Sequence, residues 1–520
     1  MKPSANHFPY RRLVGRAARR TALAVALFFT LQAVLLLAAP PEGHTHITIL
    51  HVNDIHGFMR PFMDKSAHPD HPVGGSAYLS GLIAELRAAN PGGTLLVSAG
   101  DMFQGTAVSN RFYGKPMVEV MNYLGFDGMA VGNHEFDWGV EKLNEMIAGA
   151  KFPFLAANLT DDQGKPLPGI KPYVIIERSG LKIALVGLCS TSTPQLTFAD
   201  HVRGLRFQAP EVVLPPIMKE LRAKGARLVV VLSHLGLRGD EELAEKVPGI
   251  DAIVGGHVHA PLFEPVLRGK TAIVQAGCYG IFLGVLNLRV PKDPGAPVEV
   301  EAGSTLRRII AGPNAPWDAA ADRLVANYYD RIADEYAEVV GEAAVELVHP
   351  PSGESNLGNL LCDALRAKTG ADIAVQNSGG IRAGIPKGRI TLEHVMAVYP
   401  FENKVVTVEM SGKDVRTLFE EMPFWGKTSL QVSGARIVYV QDPRAHPRLK
   451  SIAVGGQALD ESRTYRVTIN DFLLKGGDGY EIFSRCKTPV IGPPVRDTLV
   501  EYIRAHSPVS PAMEGRITVE

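Results

Sequence analysis

A chain of 520 residues is too long for one typical core and points to two or three domains. Hydrophobic residues make up 46% and charged residues 21%, the ordinary balance of a globular protein. Lys+Arg and Asp+Glu are both 54, so no basic excess is available to neutralise many phosphates; a long nucleic-acid polymer is not the expected partner, whereas a mononucleotide needs only a local cation.

The chain opens with Arg11, Arg12, Arg16, Arg19 and Arg20, followed by an uncharged run over 21–39. A positive region before an apolar one predicts an export signal over 1–43. The run could also span a bilayer if it stayed uncleaved, so cleavage near Ala38-Ala39 and retention as a membrane anchor are both open. Either way the rest is expected outside the cytoplasm: periplasmic, secreted or anchored at the cell surface. Over 44–311, apolar runs at 47–52, 94–98, 182–187, 228–232, 251–254 and 271–275 alternate with helical patterns such as 76–89 and 115–124. That alternation predicts an α/β domain with a largely buried sheet. Residues 312–316 read as a linker, and 317–336 as one long helix with Leu324, Tyr328 and Ile332 on one face. A second domain is expected over 340–520, helical at 358–368 and then β-rich. The four cysteines, Cys189, Cys278, Cys362 and Cys486, are far apart with no C-x-x-C pair, which argues against a zinc ribbon or a disulfide framework and leaves a Cys189–Cys278 pair open.

Five separated pieces place polar groups just past the ends of apolar runs. They are Asn53-Asp54-Ile55-His56, Gly100-Asp101, Gly132-Asn133-His134-Glu135, Ser233-His234 and Gly256-His257-Val258-His259. In open α/β sheets, sites form at the carboxyl ends of strands, where loops converge. Asp54 and His56 point the same way on an extended segment, as do His257 and His259. Asp54, His56, Asp101, Asn133, His234, His257 and His259 exceed what one tetrahedral ion uses, so they predict two divalent ions, with Asp101 as the bridging candidate. Mixed imidazole and carboxylate suits Mn, Zn, Co and similar ions.

At these residues the sequence resembles the 5′-nucleotidase family of calcineurin-like metallophosphoesterases. The matching pieces are ILHVNDIHG, SAGD, AVGNHEFDWG, LSHLG and GGHVH, then SNLGNLLCDALR, QNSGGIR, PFENKVV and NDFLLKGGDGY. The resemblance implies an α/β (α+β) fold class: a metallophosphoesterase β-sandwich flanked by helices, and a smaller C-terminal α/β substrate-binding domain, joined by a helical linker. It implies that Asp54, His56, Asp101 and His259 hold one metal, and Asp101, Asn133, His234 and His257 the other. His134 would face the substrate phosphate, oriented by Asp137. Phe401 and Phe472 would clamp the base, Asp478 would hold the ribose, and Asn377 and Arg382 would face base or phosphate. The expected activity is hydrolysis of a small-molecule nucleotide, foremost a nucleoside 5′-monophosphate. A cyclic-nucleotide phosphodiesterase, a UDP-sugar hydrolase, a sulfur-ester relative and a silent nucleotide-binding protein are the alternatives. Relatives often carry a phosphate-binding Arg shortly before the LGNL piece; here 349–355 has none, which predicts monophosphates ahead of UDP-sugars.

Overall fold

The computed structural model describes residues 43–293, 295–350, 353–422, 429–441 and 448–520. The expected signal or anchor, apart from Gly43, lies outside the described residues. Among the described residues no helix is long and apolar enough to cross a membrane.

Thr94–Ser98, Leu228–Ser233 and Ala252–Gly255 are buried at every position, as strands covered on both faces must be. His44–Val52 pairs parallel with Thr94–Ser98 in an eight-stranded sheet. Leu228–Ser233 lies parallel between Leu181–Leu188 and Ala252–Gly255 in a six-stranded one. The two sheets face each other: Ile47, Ile49, Leu95 and Val97 of the first pack with Leu185, Val230 and Val254 of the second. The alternate residues Leu50, Val52 and Leu96 face outward onto Leu79, Ile83, Val118 and Met121 of helices Ser76–Ala89 and Lys115–Leu124. Helices Pro210–Ala223 and Leu237–Lys246 cover the other outer face through Leu214, Leu221 and Leu243. The result is the β-sandwich flanked by helices that the family resemblance implies.

The expected single helix over 317–336 is instead two, Ala319–Asp330 and Ala333–Tyr336. Arg331 and Ile332 form a turn between the two helices, Ile332 with φ −117° and ψ −2°. The turn there lets Val325, Tyr328, Ile332 and Tyr336 all enter the same core as the sandwich's outer helices. Both helices therefore dock on the N-terminal half.

The C-terminal half has a five-stranded mixed sheet with Ile373–Asn377 and Thr464–Asn470 at its centre. Helices Asn356–Thr369 and Val495–His506 pack on one side through Leu361, Leu365 and Leu499. On the other side Gly412–Glu421 and a four-stranded sheet enclose Val408, Phe419 and Ile437. None of the four cysteines forms a disulfide, and Cys189 and Cys362 are buried.

Candidate active site

The loops after five strand ends converge where the carboxyl edges of the two sheets meet. Ligand atoms of Asp54, His56 and His259 lie within 4.8 Å of one another, and so do those of Asp101, His234 and His257. His56 Nε2 is 3.2 Å from His259 Nε2. Asp54 Oδ1 is 3.4 Å from His259 Nε2 and 3.9 Å from His56 Nε2. His234 Nε2 is 2.9 Å from Asp101 Oδ2. That last pair is close enough for a hydrogen bond, yet Nε2 of His234 is buried and makes none. Two donor atoms that approach without bonding are aimed at a common point rather than at each other. Asn133 Oδ1 is likewise buried without a partner. A buried polar atom left unmatched costs free energy unless a ligand supplies the match.

The backbone carries the same message. Asp54, His56, Asp101, His257 and His259 all have left-handed φ, between 51° and 78°. Each such residue stores strain that the surrounding structure must hold in place. His56 Nδ1 lies 2.8 Å from the Gln104 carbonyl oxygen and His234 Nδ1 2.7 Å from that of Ala99. A carbonyl can only accept, so both rings carry hydrogen on Nδ1 and turn an Nε2 lone pair inward. Asn53 Nδ2 donates to Asp54 Oδ2 and the Gly277 carbonyl, and the His257 N–H donates to Asp54. Glu135 accepts from the N–H groups of Asp101, Met102 and Gly132, which fixes the Asp101 turn. Burial, then repulsion from Asp101, pushes the Glu135 pKa up to about 7. Burial alone would lower the His234 pKa, but the Asp101 and Asp54 carboxylates lift it to about 10. The field at the site thus demands positive charge. Carboxylate, imidazole and carboxamide donors around that field fit two divalent cations.

His134 Nδ1 is 2.6 Å from Asp137 Oδ2, and Thr197 Oγ1 donates to the other Asp137 oxygen at 3.0 Å. Burial would lower the His134 pKa, but the nearby Asp137 and Asp101 carboxylates outweigh it and the net shift is upward. The second domain reaches into the same place. Arg382 Nη2 donates to His56 Nε2 at 3.2 Å, and the Phe401 ring centroid is 6.0 Å from that of His134. Asn377 Nδ2 donates to Asp478 Oδ2 at 2.7 Å, and Asp478 itself sits at φ 55°. The Phe472 ring lies on the Gly477 backbone, where an added Cβ would come within 2.5 Å of it. Between the domains is a cavity of about 840 Å³ bordered by Asp101, Asn133, His134, Asp137, His257, His259, Asn377, Arg382, Phe401, Phe472 and Asp478. Asp54, His56 and His234 lie beneath its floor, buried to 1% or less.

The wall also includes Gln104, Tyr113, Trp138, Lys142, Phe198, His201, Tyr399 and Asn403, which the sequence reading did not single out. Trp138 lies inside the AVGNHEFDWG piece, Asn403 inside PFENKVV and Lys142 three residues past the first of these, and those positions were the available signals. Among the described residues of 349–355, none borders the cavity, and Gly353 has φ 81° with open space around it.

Residues 47–261 match the family described as calcineurin-like phosphoesterase, and 339–485 match the 5′-nucleotidase C-terminal domain. "Protein 5NUC" of Lutzomyia longipalpis is 31% identical over 95% of this chain and 96% of its own length. The chain belongs to the 5′-nucleotidase family of calcineurin-like phosphoesterases. Rat 5′-nucleotidase is 29% identical over 94% of this chain and 93% of its own. The crystal structure of a 5′-nucleotidase precursor from Thermus thermophilus superposes with a TM-score of 0.84 at 30% identity, covering 91% of this chain and 99% of that one. As a member of this family the protein is a metal-dependent phosphoester hydrolase that uses two divalent metal ions, and the two Asp/His groups are where its chain can hold them.

Proposed function

We propose that this protein hydrolyses nucleoside 5′-monophosphates to nucleoside and phosphate. The observation that carries the reading is that Phe401, Phe472 and Asp478 border the same cavity as His134 and the metal-binding groups. One ligand can then meet an aromatic pair, a hydroxyl acceptor and a phosphoryl site together. Asp54, His56 and His259 would hold one cation, and Asn133, His234 and His257 the other, with Asp101 between them. Bound there, the cations supply Lewis acidity toward the phosphoryl oxygens and lower the pKa of water. The chain's own groups do the rest. Asp137 and Asp101 favour the doubly protonated His134 ring, so Nδ1–H donates to Asp137 while Nε2–H donates toward the phosphoryl group as charge builds. Arg382 neutralises a phosphoryl oxygen from the second domain. Phe401 and Phe472 stack on the base, which discriminates little among bases. Asp478, fixed by Asn377, accepts from ribose hydroxyls.

Arg382 is the single Arg or Lys of the second domain that borders the cavity among the described residues. On the catalytic side, Lys142 is already paired with Glu145 at 2.8 Å. A second phosphate must lose water on entry, and few unengaged cations await it. Monophosphates are therefore expected to exceed UDP-sugars in kcat/KM by roughly tenfold, the worth of one charged hydrogen bond. The test is phosphate release from AMP, ADP and UDP-glucose with added Mn, before and after exhaustive chelation. Equal efficiency on all three overturns the monophosphate reading, and full activity with no metal bound overturns the two-cation site. The 1–43 segment is read as the export signal or anchor of an enzyme acting outside the cytoplasm, supported by the basic-then-apolar pattern of its sequence.

A further inference from the structure

Among the described residues, eight side chains hold a buried polar atom without a hydrogen-bond partner. Asn133 and His234 are explained by the metal site. His51, Thr160, Asp240, Asn359 and Arg496 do not border the cavity. Gln104 remains. It lies on the cavity wall, is 1% exposed, and both ends of its carboxamide, Nε2 and Oε1, lack a partner.

Its position is fixed with unusual thoroughness for a loop residue. The Gln104 carbonyl accepts from His56 Nδ1. The next residue, Gly105, has φ 156° and donates its N–H to Asn110 Oδ1 at 2.9 Å. A Cβ at that glycine would meet the His56 carbonyl oxygen at 2.3 Å. Asn110 in turn donates through Nδ2 to the Pro400 carbonyl of the second domain at 2.7 Å. Thr106 N–H donates to the His56 carbonyl at 3.2 Å. The backbone is thus held by a metal-site histidine on one side and by the base-clamp segment on the other, while the side chain is left unsatisfied. Fold stability does not call for that arrangement, since burying an amide with nothing to bond opposes folding.

We propose that the Gln104 carboxamide is a phosphate-binding group of this active site: Nε2 donates to a phosphoryl oxygen and Oε1 accepts from a water held against it. The proposal rests on the phosphoester-hydrolase reading of the same cavity and adds a neutral donor beside Arg382 and His134. A neutral amide suits the place. It binds the oxyanion without lowering the affinity of the neighbouring carboxylate-rich groups for cations, as another positive charge would.

The test compares full-length wild type, Gln104→Met and Gln104→Glu, all loaded with Mn. Three quantities are measured: inorganic-phosphate affinity by calorimetry, metal content after dialysis, and melting temperature. Methionine keeps the length and removes both polar ends. The expected result is phosphate binding weaker by roughly tenfold or more, in the range of a hydrogen bond to a charged group, with metal content unchanged and melting temperature equal or higher. The carboxylate of Gln104→Glu should bind phosphate more weakly still. Wild-type phosphate affinity in either variant overturns the proposal, as does loss of metal from Gln104→Met, which would make Oε1 a metal ligand. A drop in melting temperature with phosphate affinity intact assigns Gln104 to the fold and also overturns it. Wild type that binds no phosphate and hydrolyses no nucleotide overturns the underlying reading together with this one.

Discussion

His134 and His51 are both buried histidines with opposite fates. His134 has Asp137 at 2.6 Å on its inner nitrogen and the cavity on its outer one. With its partner fixed, it is placed to donate more strongly as phosphoryl charge grows than in the ground state. His134→Ala is therefore expected to lower kcat on AMP by about 10²–10⁴-fold and to change KM little. Steady-state kinetics on both constants check this, and a loss confined to KM would remove His134 from the chemistry. His51 lies in strand His44–Val52 against Gly284, with Nδ1 buried and unpartnered. Burial pushes its pKa from 6.5 down to about 3. The folded state prefers the neutral ring, so between pH 6.5 and 3 the unfolded chain binds more protons, and stability falls as pH falls through that window. The full effect is on the order of 5 kcal/mol, since each tenfold loss of proton affinity is worth about 1.4 kcal/mol. His51→Phe has no proton to gain and should flatten the fall of the urea midpoint between pH 7 and 4. Wild type and variant declining in parallel would place the acid sensitivity elsewhere, for instance in the metal groups.

Helix Ala319–Asp330 begins at Asp318, whose Oδ1 accepts from the N–H groups of Ala320 and Ala321. Its Oδ2 accepts from Ser80 Oγ and Tyr123 Oη, so one carboxylate caps the helix and ties it to two others. Asp318→Ala should destabilise the helix by about 1–3 kcal/mol, the cap accounting for about 1. Asp318→Asn keeps a capping oxygen but not both acceptors and should fall between. Amide hydrogen exchange over 319–330 measures this, and equal rates in all three proteins would show that core packing alone holds the helix. The break after this helix illustrates what sequence conceals. Leu324, Tyr328, Ile332 and Tyr336 keep an i, i+4 spacing straight through the turn at Ile332, so periodicity reads as one helix. Only the demand that Ile332 and Tyr336 share a core with Phe103 and Met121 breaks it. The strands were legible because sandwiched strands must be apolar along their length. The Asp and His groups were legible because each follows such a run directly. Tyr113, Lys142 and His201 were not, since each looks like an ordinary surface residue until tertiary folding turns it toward the second domain. Gln104 lies three residues beyond Asp101, yet no spacing rule separates an unsatisfied carboxamide from a satisfied one.

Contacts between the two halves around the cavity include an ion pair at the rim and a neutral hydrogen bond, and a bound base would add stacking; their magnitudes decide which one matters to substrate. Lys475 pairs with Asp200 across the rim, but their side chains are 40% and 49% exposed. An ion pair of that exposure contributes little, and salt screens it further. Asn110 donates to the Pro400 carbonyl at 2.7 Å, a neutral hydrogen bond of about 1 kcal/mol net. Stacking of a base on an aromatic ring is worth about 1–3 kcal/mol by alanine substitution, and Phe401 and Phe472 offer two such faces. If the base is held there, the substrate itself is the strongest link between the domains, and the rim contacts merely bias their approach. Lys475→Ala should then change kcat/KM for AMP by less than about fivefold, and the difference should vanish at high salt. Phe472→Ala should raise KM for AMP by roughly 5- to 150-fold while leaving p-nitrophenyl phosphate nearly unaffected, because that ester can meet His134 and the cations without filling the clamp. Running both variants on both substrates separates the alternatives. If Phe472→Ala depressed hydrolysis of the small ester as much as that of AMP, the ring would be supporting the closed arrangement of the domains rather than binding the base. If Lys475→Ala proved the more damaging change at physiological salt, domain closure would rest on the rim pair and not on the nucleotide.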